Sequence, residues 1–152
     1  MEILSLIRQD HVNMAELFRR LFETSRKQPE LREALIRQLR RTLLAQLRAE
    51  DTVFYFRMEE EPGARDLVHE ARLTLVGIQE ALDHLEVMNT VTPMWEQQLK
   101  ELQNLIRRFM LEKESRLLGL AQHLIPGEQL ESLGDQMARE QKEWARHYAA
   151  VD

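Results

Sequence analysis

Four prolines punctuate this chain, and almost everything between them favours helix. Pro29 follows Ser25-Arg26-Lys27-Gln28, Pro62-Gly63 closes the acidic run Glu59-Glu60-Glu61, Pro93 ends Asn89-Thr90-Val91-Thr92, and Pro126 precedes Gly127. Proline inside a helix removes a backbone donor and clashes with the preceding turn, so each marks a break. The intervening stretches are rich in Leu, Glu, Arg, Gln and Ala, which lose little side-chain freedom in a helix. The breaks predict five helical segments, roughly 2–24, 30–57, 64–88, 94–122 and 128–149. In the first, Ile3, Ile7, Met14, Leu17, Phe18, Leu21 and Phe22 recur with the period of one helix face. Thr92-Pro93 reads as an N-cap followed by proline at the first helical position. No stretch carries a strand's alternation.

The fold class expected is all-α, in a single domain over residues 1–152. Four long segments, about 2–122, would form an up-down-up-down four-helix bundle, since short connections make neighbouring helices antiparallel. The fifth segment carries Leu130, Leu133, Met137 and Trp144 among many charges. It is expected as an amphipathic helix docked on the outside.

Bulk properties exclude several functions. A chain of 152 residues can bury a core without covalent staples. It has no cysteine, which rules out disulfides, zinc-thiolate sites and a thiol nucleophile. The net charge is −5, with both signs interspersed, so no basic stripe invites nucleic acid. Apolar runs are far shorter than a membrane span, and the opening Met1–Arg8 lacks the pattern of a secretory leader. A cytoplasmic protein is expected, with another protein as its partner rather than nucleic acid or membrane.

An internal repeat supports the bundle. Asp10–Leu21 aligns in pattern with Ala71–Leu82, and Leu39, Leu43, Gln46, Glu50 and Phe54 align with Leu102, Ile106, Phe109, Lys113 and Leu117. The first two helices therefore recur as the third and fourth, giving a pseudo-twofold arrangement.

On these residues the chain resembles the hemerythrin-like, HHE cation-binding family. Asp10-His11, with Met14, Leu17, Phe18 and Leu21, is similar to the family's first helix. Gln46–Tyr55 resembles its His-x-x-x-Glu helix, Phe109–Leu118 the second such helix, and Gln129–Met137 the closing helix. The resemblance covers nearly the whole chain. It implies a di-iron centre held by one histidine from each of helices one and three, and a histidine plus a carboxylate one turn later from each of helices two and four. Residues i and i+4 share a helix face, so such a pair can reach the same metals.

Residue by residue, His11 and Glu50 match that pattern and four positions do not. Gln46 stands where the histidine before Glu50 belongs. Helix three offers Arg72, or Ala71 in the neighbouring register. Helix four offers Phe109 and Lys113, or Arg108 and Glu112 in a register that points away from the apolar stripe. Both of these histidines are missing in every register. Arg72 and Lys113 would place positive charge where cations should sit, which opposes metal binding.

The expectation is therefore a metal-free site with no cofactor, His11 and Glu50 being remnant ligands. A layer of His11, Gln46, Glu50, Arg72 and Lys113 would lie inside the bundle, with fixed cations neutralising Glu50; alternatively the long side chains snorkel to solvent. His69, His84, His123 and His147 fall outside the ligand positions, and Trp95 and Trp144 read as packing anchors. No nucleophile–base pair or phosphate loop suggests an enzyme. The expected function is a non-enzymatic regulatory or protein-interaction module. The alternative is a protein that still carries iron and binds oxygen or senses redox state, and a third reading places a small ligand in the vacated site.

Overall fold

The computed structural model describes residues 1–151. Among them there is no strand: α1 spans Ile3–Phe22, α2 Pro29–Ala49, α3 Phe56–Met58, α4 Arg65–Glu86, α5 Pro93–Glu112, α6 Leu118–Leu124 and α7 Gly127–Ala150. Two π-helical turns, Glu50–Tyr55 and Lys113–Leu117, join α2 to α3 and α5 to α6. The five long helical stretches begin and end within about two residues of the proline-based expectation, the usual scatter of helix ends. Pro29 and Pro93 occupy first turns, where a missing N–H costs nothing, and the Thr92 hydroxyl accepts from the Trp95 backbone N–H at 3.2 Å.

Consecutive long helices pack: α1 on α2, α2 on α4, and α4 on α5. They share a core in which Phe18, Leu39, Leu43, Phe54, Met58, Ile78 and Trp95 are almost wholly removed from solvent. Apolar burial on this scale dominates the folding energy of any such domain. No described helix is long and apolar enough to cross a membrane.

The last helix, α7, lies along α1, α2 and the first π turn. It buries Leu130, Gly134, Met137 and Tyr148, with Leu133 and Trp144 partly buried. Gly134 lets it approach α1 closely. A Cβ there would overlap the Met1 carbonyl oxygen and sit 2.9 Å from both Glu2 C and Ile3 N. These are backbone atoms, which cannot swing aside.

The far end of the bundle is closed by Arg32, a buried guanidinium. It donates to the Thr90 carbonyl at 2.6 Å, to the Thr24 hydroxyl at 2.9 Å and to Glu96 at 3.1 Å, and stacks on the Trp95 ring 4.7 Å from its centroid. One planar fork thereby ties two inter-helix loops to the start of α5.

Candidate functional site

The most unusual chemistry lies midway along the bundle, where both π turns begin. Glu50 opens one and Lys113 the other. The Lys113 ammonium donates to Glu50 Oε1 at 2.7 Å, and each side chain is only 2% exposed. The same ammonium lies 4.2 Å from the centroid of the Phe109 ring, whose negative face attracts a cation. These three residues sit together because Ile106, Phe109, Lys113 and Leu117 line one face of the α5–α6 stretch, while Leu43, Gln46 and Glu50 line the facing side of α2. A wide π turn at each charged residue alters the angular advance locally, a deviation often found at functional positions.

His11 reaches this layer from α1. Its Nδ1 lies 2.7 Å from Glu114 Oε1, next along the chain from Lys113, so Nδ1 carries the proton and the carboxylate accepts it. His11 Nε2 is buried without a protein partner, as is the Tyr55 hydroxyl. Burial, then the charge of Lys113, lowers the His11 pKa and keeps the ring neutral. Burial and the negative charge of Glu50 drive the Tyr55 phenol well above its ordinary range.

Asp10 is the least expected member. It is buried, and its carboxylate accepts from the Gln141 amide on α7 at 2.6 Å. Burial, followed by the like charge of Glu50, raises its pKa from 3.8 to about 7, against smaller opposing effects from Gln141 and Lys113. Glu114 and Tyr55 likewise belong to the neighbourhood without any ligand spacing to announce them.

One expected member is elsewhere. Arg72 does not enter the layer: its Nε donates to Asp51 at 2.7 Å, it pairs also with Glu59, and its side chain is 36% exposed. Ala71 instead occupies the buried position on α4, in line with Val68, Leu75 and Ile78. One residue along a helix turns the side chain by about 100°, enough to carry Arg72 to the rim. There it helps neutralise the acidic run, with Arg57 pairing to Glu60 and Glu61. On α5, Phe109 and Lys113 face inward while Arg108 and Glu112 are exposed. Gln46 is buried one turn before Glu50. His69, His84, His123 and His147 are all exposed.

This donor set does not fit a pair of iron atoms. The second histidine–carboxylate position is a phenyl ring and an ammonium, and that ammonium already occupies Glu50. Among the described residues no three His, Asp or Glu side chains come together as a metal-holding group. Beside Lys113, the cleft walled by Leu67, Ala71, Thr74, Phe109 and Leu117 has a volume of about 40 Å³, far below the several hundred typical of an organic-ligand pocket. What the layer can do chemically is hold buried charge, and its protonation state responds near neutral pH through Asp10. Set against known proteins, the chain matches no family model, and no curated protein or solved structure matches it.

Proposed function

We propose that this chain is a metal-free member of the hemerythrin-like class, an up-down-up-down four-helix bundle with an added helix, acting as a non-enzymatic regulatory or protein-interaction module. The observation that carries this reading is the buried Glu50–Lys113 pair. An internal ammonium supplies the positive charge that a metal would otherwise bring to Glu50, so the fold needs no cation to tolerate that carboxylate. The pairwise packing of α1 on α2, α2 on α4 and α4 on α5, with short connections, supports the topology.

The test is metal analysis of protein produced with abundant iron. Iron well below one atom per chain, a colourless solution and a melting temperature indifferent to chelators are expected. Two irons per chain with a near-ultraviolet charge-transfer band would overturn the reading.

A further inference from the structure

α1 is covered on one flank and open on the other. Toward α2 it is roofed by α7. Toward α5 there is a groove of about 490 Å³, backed by the almost wholly buried Met14, Phe18 and Ile106 and by the half-buried Met110. At one end Phe22 stacks on Phe18 and remains 42% exposed.

The rim is net basic: Arg19, Lys100 and Arg107 border the groove, but Arg19 is already paired with Glu16 and with the rim acid Glu23, so Lys100 and Arg107 carry the excess. This bias runs opposite to the net charge of −5 for the chain. Lys100 sits 5.5 Å from the Phe22 ring centroid and donates to Gln103, while Arg107 engages no carboxylate among the described residues. An apolar trough with a basic border complements a helix having one apolar face flanked by acids. A bilayer presents no narrow ridge to fill such a concave site. From Lys100 to Met110 the trough runs about 15 Å, or roughly three helical turns.

We infer that the groove between α1 and α5 receives an acidic amphipathic helix of a partner protein. The inference deepens the interaction-module reading and rests on it. Anchoring residues at i, i+3 or i+4, and i+7 would pack on Phe22 and Met110, and flanking carboxylates would meet Lys100 and Arg107.

The test uses the full chain and two labelled model helices of about three turns, each with leucines at that spacing. One is flanked by glutamates, the other by lysines. Fluorescence anisotropy should show the acidic helix binding at least about tenfold more tightly, with the preference shrinking in high salt. Binding should shift the Met14 and Met110 methyl resonances. The variant Lys100→Glu with Arg107→Glu, at positions that hold no part of the core, should reverse the preference while leaving the melting temperature close to the parent's. Equal binding of both helices, or a preference unchanged by the double variant, would overturn the inference. So would sedimentation showing that the groove joins two copies of this chain, or capture of phosphatidylserine vesicles in place of the peptide. Peptide binding that shifts Met137 instead would reject the groove yet leave an interaction module standing, whereas iron uptake would reject the underlying reading whatever the peptide does.

Discussion

Two cationic side chains, Arg32 and Lys113, are buried among the described residues, and the protein surrounds them very differently. Arg32 spends its fork on a backbone carbonyl, a hydroxyl and the partly exposed Glu96, which Arg26 also holds, at 2.7 Å. Those two hydrogen-bonded arginines pull the Glu96 pKa down to about 2. Lys113 has one carboxylate and one aromatic face, with neighbours that include a buried neutral histidine and a second buried acid. The first region is a clasp whose charge drains to the surface. The second is a closed electrostatic unit whose parts depend on one another. Removing a charge should therefore be local and mild in one and severe in the other.

The largest effect is expected at Lys113. Lys113→Ala strands Glu50 in a site with almost no access to water, and denaturant unfolding should show a loss of roughly 3–5 kcal/mol. Glu50→Leu combined with Lys113→Met should recover much of it, because an apolar pair avoids both desolvation costs. A double-mutant cycle without coupling between Glu50 and Lys113 would dissolve the distinction between the two regions.

Asp10 tests whether the central unit responds to pH. Its folded-state pKa of about 7 exceeds the unfolded 3.8, so the folded protein holds the proton more tightly. The cost of ionising it is absent below about pH 4, grows as pH rises, and is fully present above about pH 7. At roughly 1.36 kcal/mol per unit, that cost is at most about 4 kcal/mol. Asp10→Asn, which can still accept from Gln141, should be more stable than the parent at pH 8 and equal to it near pH 4. His11 contributes in the opposite sense, since a neutral buried ring favours the fold above its unfolded pKa and weakens it below. Parallel stability curves for parent and Asp10→Asn across this range would remove Asp10 from the unit.

At the clasp, Arg32→Met should cost about 1–3 kcal/mol, chiefly for the Thr90 carbonyl left without a donor. Glu96 keeps Arg26 and can reach water. Arg32→Lys should recover little, because a single ammonium cannot span the four acceptors that the guanidinium reaches. A loss matching that of Lys113→Ala would mean that the clasp is as closed as the centre.

How much of this could be read in the residues depends on which rule each one obeys. The helices follow from proline punctuation and helix-forming composition, and Lys113 meets Glu50 because both obey the i, i+4 arithmetic of a helix face. Asp10 obeys it too, falling between Ile7 and Met14 on the buried stripe, but an acid at that place reads as a surface residue until α7 is seen to cover it. Glu114 and the two π turns are hidden for another reason. A local change in helical pitch is decided by tertiary packing and has no signature in spacing. The groove between α1 and α5 is likewise a property of how two helices diverge, since Phe22 and Met110 look like any other members of their stripes.

Arg72 provides the smallest expected effect and the sharpest check on where the central unit ends. As a member of that unit it would neutralise buried charge, and its removal would rival that of Lys113. Instead it pairs with Asp51 and Glu59 at the rim, where all three side chains have access to solvent. Water takes over the carboxylates when the guanidinium is gone, and exposed pairs of this kind contribute within about 1 kcal/mol. Arg72→Ala should shift the denaturation midpoint only slightly, by an amount that fades in high salt as the surface charges are screened. The Lys113→Ala penalty should persist in the same salt, because ions do not enter a site this enclosed. A salt-resistant loss of several kcal/mol at Arg72 would place its charge inside the unit with Glu50 and contradict the boundary drawn between the buried layer and its rim.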